Sequence, residues 1–108
     1  MRIYISGKMK NKEYHPFFNK AEQFIKSRGH IVVNPSMMPK GLDDNRYMPI
    51  CLSMIDGCDA VVMIGDDWKD SQGALLELQY AKYQRKMVYL DIEEIPKTKE
   101  VMNYGENR

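Results

Sequence analysis

No run of apolar residues in this sequence approaches the ~20 needed to cross a bilayer. The chain opens directly into the strand-like Arg2-Ile3-Tyr4-Ile5-Ser6, without the regions of a signal peptide, so a cytoplasmic protein without membrane contact is expected. Cysteine is scarce: Cys51 and Cys58 stand seven positions apart, match no zinc spacing and read as reduced core residues. The histidines are two, His15 and His30, at opposite ends of one helical segment, with no metal-ligating cluster and no Ser/Cys–His–Asp context around them. There is no Walker loop, and no Gly-x-Gly-x-x-Gly follows the first strand. No metal and no cofactor is therefore expected. Internal repeats and low-complexity tracts are missing, as is a basic stripe with interleaved aromatics, which argues against polymeric nucleic acid.

What is present suits one globular domain over residues 1–108, with 44% hydrophobic and 29% charged residues. The net charge of +1 conceals an uneven spread. Residues 1–30 carry seven basic and two acidic side chains, including Lys8, Lys10 and Lys12 together, whereas residues 31–70 carry three basic and seven acidic. A basic loop after a strand can attract a phosphate, although most such loops are solvated surface.

Periodicity orders the elements. Arg2 to Ser6 alternates and stops at Gly7. Pro16 fits the first turn of a helix whose apolar stripe is Phe17, Ala21, Phe24 and Ile25, closed by Gly29. Ile31 to Val33 is a second strand, stopped by Asn34-Pro35. Residues 36–45, with Pro39 and Gly41, form an irregular loop long enough to help cover a site. Asp43, Asp44 or Asn45 caps a second helix with Met48, Leu52 and Ile55 on one face, ending near Gly57 and interrupted by Pro49. Asp59 to Ile64 is a strand buried on both faces, Ser71 to Lys86 a third helix, and Met87 to Leu90 a fourth strand. The tail from Glu93 to Arg108 is polar, with Pro96 and Gly105, and reads either as one short helix or as a loosely ordered, frayed end. Alternating β-α-β units imply an α/β, flavodoxin-like (Rossmann-like) three-layer domain, its parallel sheet in the order 2-1-3-4 with helices on both faces. Strands one and three then meet at the switch point, and a ligand would sit over Ser6-Gly7, Gly65-Asp66-Asp67 and the start of the third helix.

Four features there are candidates to carry chemistry. Glu77 lies roughly 60° around the helix from Ala74, at the edge of the stripe formed by Ala74, Leu78 and Ala81. It is either a reactive carboxylate at the carboxyl ends of the strands or a border residue whose head reaches water. Ser71 is a plausible N-cap, and Gly73 lets a ligand approach unpartnered N–H groups, an arrangement suited to a phosphate or carboxylate. Tyr4 is a core aromatic or a hydroxyl reaching the mouth occupied by Glu77. Trp68 is a stacking lid or a hydrophobic anchor.

Ile3 to Gly7 (IYISG), the strand Asp59 to Ile64, and Ser71-x-Gly73-x-x-x-Glu77-x-x-x-Ala81 together resemble the nucleoside 2-deoxyribosyltransferase family, and most of all its short, uncharacterised bacterial and phage relatives. The resemblance covers roughly residues 2–91. It implies a Glu77 that attacks the anomeric carbon of a 2-deoxynucleoside, with the deoxyribosyl group passed on to another base or to water. Tyr4 would orient that carboxylate. Ser71 and nearby glycines would contact a 5′-phosphate, with Ser6, Gly7, Lys8, Asp66, Asp67 and Trp68 around the ligand and Asn103 reaching a neighbouring subunit's site. An ungapped alignment puts Cys51 where characterised members carry an Asp that contacts the sugar or assists the leaving base; Asp56, Asp66 or Asp67 could substitute.

N-glycosidic cleavage or 2-deoxyribosyl transfer on a nucleoside or its 5′-monophosphate is thus the leading expectation. The alternatives are a non-catalytic nucleotide-binding, sensing or sequestering module, and a purely structural domain. A homodimer or larger assembly is expected from apolar candidates on the second and third helices, among them Met48, Met54, Tyr80 and Tyr83.

Overall fold

The computed structural model describes residues 1–9 and 14–98. Its elements run β1 (Arg2–Ser6), α1 (Tyr14–Ser27), β2 (Ile31–Val33), α2 (Asp44–Asp56), β3 (Ala60–Met63), α3 (Gln72–Tyr83) and β4 (Met87–Tyr89), with 3-10 turns at Pro35–Met37, Trp68–Asp70 and Ile92–Glu94. The strands form one parallel sheet in the order β2-β1-β3-β4, the flavodoxin-like arrangement expected.

Side chains alternate along the two central strands and divide the core between the sheet's faces. Ile3, Ile5, Ala60, Val62 and Ile64 pack with Phe18, Ala21 and Ile25 of α1. Tyr4, Val61 and Met63 pack with Cys51 and Ile55 of α2 and Ala74, Leu78 and Ala81 of α3. Both cysteines are buried and free, as their spacing implied. Among the described residues no helix is long and apolar enough to cross a membrane.

The stripe of α1 is not the one expected. Phe18 is fully buried, whereas Phe17 is 45% exposed. Both phenylalanines satisfy helical periodicity with Ala21 and Ile25, so spacing alone cannot choose between them. The choice falls to Gly7: a Cβ there would lie 3.2 Å from Phe18 Cζ and 3.0 Å from Ile64 Cγ1, so the missing side chain is what admits the Phe18 ring. Gly29 closes the helix as expected, at φ 91°, with its N–H donating to the Lys26 carbonyl at 2.9 Å.

The third helix ends at Tyr83, three residues before the expected Lys86. Arg85 adopts the left-handed conformation at φ 59°, and Lys86 N–H donates to the Ala81 carbonyl at 2.9 Å. That is a glycine-type helix stop made without glycine, at a cost of about 1–2 kcal/mol. Pro49 is tolerated on the exposed side of α2, while Cys51 and Ile55 hold the opposite side in the core.

The amino ends of the strands are closed by side chains and backbone. His30 Nε2 donates to the Pro96 carbonyl at 2.6 Å, which leaves Nδ1 to accept from the Met1 ammonium at 3.0 Å. Nearby, Thr98 N–H donates to the Arg28 carbonyl at 3.0 Å. The opposite ends of the strands carry the loops of interest.

Phe18→Ala should destabilise the fold by about 3–5 kcal/mol. Phe17→Ala should cost less than about 1 kcal/mol. Urea unfolding of the two variants measures both, and equal losses would contradict the described orientation of α1.

Candidate functional site

Glu77 is the centre of the arrangement. It is 4% exposed and belongs to the buried stripe of α3 with Ala74, Leu78 and Ala81, rather than sitting at its margin. The small side chains of Ala74 and Ala81 let α3 approach the sheet closely enough to enclose the neighbouring position as well.

Two strand hydroxyls meet the carboxylate. Tyr4 Oη donates to Oε2 at 2.9 Å, and Ser6 Oγ donates to Oε1 at 2.6 Å. Residues two apart on a strand share a face, so β1 presents both donors together. Burial pushes the Glu77 carboxyl above its ordinary range, and the Ser6 and Tyr4 bonds act against that rise. Burial and then the adjacent Glu77 charge push the Tyr4 phenol upward, which keeps it protonated and donating. The Cys51 thiol lies beside the same group, and burial raises it to about 11, so it stays a thiol.

Above Glu77 opens a cleft of about 310 Å³ at the carboxyl ends of the strands. Its walls are Gly7 and Met9 after β1, Pro35, Ser36 and Met38 to Leu42, then Asp44, Tyr47 and Met48 of α2, and Ser71 to Ala74. The loop after β2 therefore covers the site, as its length suggested. Tyr47 ties that cover to α2, with its hydroxyl near the Pro35 carbonyl at 3.2 Å and Met9 Sδ at 3.4 Å. Ser71 caps α3 by accepting from Ala74 N–H at 3.2 Å, and it faces the cleft.

The other candidates divide. Gly7, Ser71 and Gly73 line the cleft; Tyr4 and Ser6 lie beneath it, both bonded to Glu77. Trp68 is an anchor, not a lid: the 3-10 turn after β3 tucks its ring into the core beside Met63 and Leu78. Lys8 is half-buried and does not line the cleft. Asp66 borders a separate hollow on the α1 side of the sheet, with Phe17 and Leu90, and Asp67 faces neither. The left-handed turn at Gly65, φ 81°, accompanies this turning away of the loop. Asp56 is engaged at the surface, accepting from Tyr80 Oη at 2.8 Å and Gln84 Nε2 at 3.3 Å. Asn103 lies outside the described residues.

Sequence reasoning missed Tyr14, Ser36, Lys40 and Tyr47 as cleft residues, and saw Asp44 only as a helix cap. Ser36 and Lys40 lie between β2 and α2, where no periodicity marks which side chains turn inward, and Tyr14 and Tyr47 lie in the first turns of α1 and α2, off the apolar stripes read from the sequence. Among the described residues Asp44 is the cleft's carboxylate besides Glu77. Among the described residues no group of three or more His, Cys, Asp or Glu is placed to hold a metal ion.

Comparison with known proteins follows the fold. The 2-deoxyribosyltransferase of the psychrotolerant bacterium Bacillus psychrosaccharolyticus is 25% identical and superposes with a TM-score of 0.65, over 82% of this chain and 69% of that one. The 2-deoxyribosyltransferase of Leishmania mexicana is 22% identical with a TM-score of 0.58, over 81% of this chain and 61% of that one, a likeness of fold alone. No curated protein matches the sequence. A family model matches residues 1–90, a span that holds all four strands and all three helices, and on that match the chain belongs to the family described as Domain of unknown function (DUF4406).

Proposed function

We propose that the cleft binds a 2-deoxynucleoside or its 5′-monophosphate and that Glu77 breaks the N-glycosidic bond. The observation that carries this reading is a buried carboxylate, held by two hydroxyl donors, on the floor of a cleft at the carboxyl ends of β1 and β3. The shared fold with the Bacillus 2-deoxyribosyltransferase supports it.

In the proposed reaction one Glu77 oxygen bonds to the anomeric carbon as the C–N bond breaks. The electron pair leaves with the base, which takes up a proton. The glycosyl ester is then opened by a second base, giving transfer, or by water, giving hydrolysis. Tyr4 and Ser6 fix the carboxylate's orientation, so little reorganisation is needed at the moment of attack. The start of α3, with Ser71, Gln72 and Gly73, takes the 5′-phosphate at N–H groups that the helix leaves unpartnered. Lys40 at the cleft's mouth adds a positive charge.

A specific observation favours a second reading, a nucleotide-binding module without turnover. A thiol at about 11 stands beside Glu77 at position 51 and is a poor proton source for a departing base near neutral pH. The exposed Asp44 is the carboxylate that could serve instead.

Four measurements test the proposal. Glu77→Gln should lower base release from 2-deoxynucleosides and their 5′-monophosphates by about 10³-fold or more. Binding should survive, because Ser6 and Tyr4 can pair with an amide. Release at the wild-type rate would remove Glu77 as nucleophile, and binding without release in either protein would establish the module. Because burial raises the Glu77 carboxyl, the acid limb of the rate profile should lie above the range of an ordinary glutamate. On the same account, folded Glu77 holds its proton more tightly than the unfolded chain does. Its contribution to stability is therefore full below the unfolded value and fades as pH rises through the folded one, a dependence that Glu77→Gln should flatten in urea titrations. Finally, a 5′-monophosphate should bind at least about 10-fold more tightly than its nucleoside, and Ser71→Asp should erase that preference by setting a carboxylate against the dianion. Calorimetry reads both affinities.

A further inference from the structure

One polar group in the cleft is left without a partner. Ser36 is 4% exposed, lines the cleft, and its Oγ finds no hydrogen-bond partner among the described residues. Buried hydroxyls are ordinarily satisfied, and an unmade bond of this kind costs about 1–3 kcal/mol.

Its backbone, by contrast, is firmly held. Ser36 N–H donates to Asn34 Oδ1 at 2.9 Å. Asn34 in turn donates from Nδ2 to Asn19 Oδ1 at 3.1 Å and Glu22 Oε1 at 2.9 Å, both on α1. Glu22 is itself paired with Lys26 at 2.7 Å. Pro35 sets the turn's φ, and Tyr47 Oη near its carbonyl adds a link to α2. The turn that carries the hydroxyl is thus held at its backbone. A held turn with a buried, unsatisfied hydroxyl is arranged for something that arrives.

The chemistry of the cleft says what arrives. The start of α3 and the Glu77 carboxylate form its polar part, suited to a sugar and phosphate. On the chain segment that carries Ser36 the lining is Pro35, Met38 and Pro39, an apolar and polarisable surface suited to a flat ring. Resting on the nucleotide reading given above, we infer that Ser36 Oγ hydrogen-bonds the heterocycle and is a specificity-determining residue of the cleft. One hydroxyl can donate and accept, so it can match a ring oxygen, ring nitrogen or exocyclic amine. It penalises rings that offer nothing at that point, because the hydroxyl then remains buried and unpaired.

The test is Ser36→Ala, with ligand affinities read by calorimetry on the full chain. The probes are the four natural 2-deoxynucleoside 5′-monophosphates and 2-deoxyribose 5-phosphate, which lacks a ring. The best-bound nucleotide should weaken by about 5- to 100-fold, the range of affinities across the four should narrow, and 2-deoxyribose 5-phosphate should bind as before. The ligand-free variant should melt no lower than wild type, since it loses an unpaired hydroxyl and no bond. Unchanged nucleotide affinities overturn the assignment, and so does equal weakening of the ringless probe. A lowered melting temperature without ligand would show Ser36 to be structural and likewise overturn it. If wild type binds none of the nucleotides, the reading of the cleft falls and this assignment with it; if it binds them and only the Ser36 effect is missing, the reading stands.

Discussion

A carboxylate placed under a helix and against a sheet organises this molecule. Burying an unpaired charge of that kind costs several kcal/mol after relaxation, and a hydrogen bond to a charged group returns about 1.5–3 kcal/mol. Two such bonds, from Tyr4 and Ser6, offset part of the burial of Glu77. The offset is incomplete, as the upward displacement of the carboxyl shows. That incompleteness suits the nucleophilic role proposed for Glu77. A carboxylate fully satisfied by its surroundings would be inert, and one without partners would hold its proton.

The fold separates what must be rigid from what can vary. At the amino ends of the strands, His30 bridges the first residue to Pro96, and Thr98 rests on the end of α1. At the carboxyl ends the chain spends its irregular segments on cleft walls, including the long passage between β2 and α2. Parallel sheets with helical crossovers enforce this polarity, because each strand delivers its following loop to the same edge. The Asn34 clamp to Asn19 and Glu22 stiffens the passage where it leaves the sheet, while Lys40 to Leu42 remain exposed beyond it.

The fold was legible in the sequence because it is written in runs that periodicity reads well. β1 and β2 agree residue for residue with the strands read from the sequence, and the sheet order follows from alternating β-α units. The errors share a physical origin. Phe17 and Phe18 are interchangeable to any periodic test, and only the space above Gly7 separates them. Arg85 closes α3 in a conformation that composition would assign to glycine. Trp68 was ambiguous because a loop aromatic carries no mark of whether it faces in or out. The pairing of Tyr4 with Glu77 is foreseen as a shared mouth, whereas the bond from Ser6 to the same carboxylate is not, since the alternation of a strand does not name what stands opposite it. Ser36 and Tyr47 were invisible for the same reason: their neighbours come from other parts of the chain.

Tyr4 and Ser6 reach Glu77 because they fall on alternate positions of β1, and Ile3 and Ile5 reach Phe18 and Ile25 because they fall on the others. The chemistry is therefore tied to the registration of a five-residue strand. A displacement of β1 by one residue would turn two isoleucines toward an ionisable carboxyl and two hydroxyls into the oily layer beneath α1. Such an isomer would be penalised on both sides of the sheet at once. The pocket's polar floor thus acts as a proofreading device for assembly: a chain that pairs its central strand wrongly cannot hide the mistake in a merely loosened core.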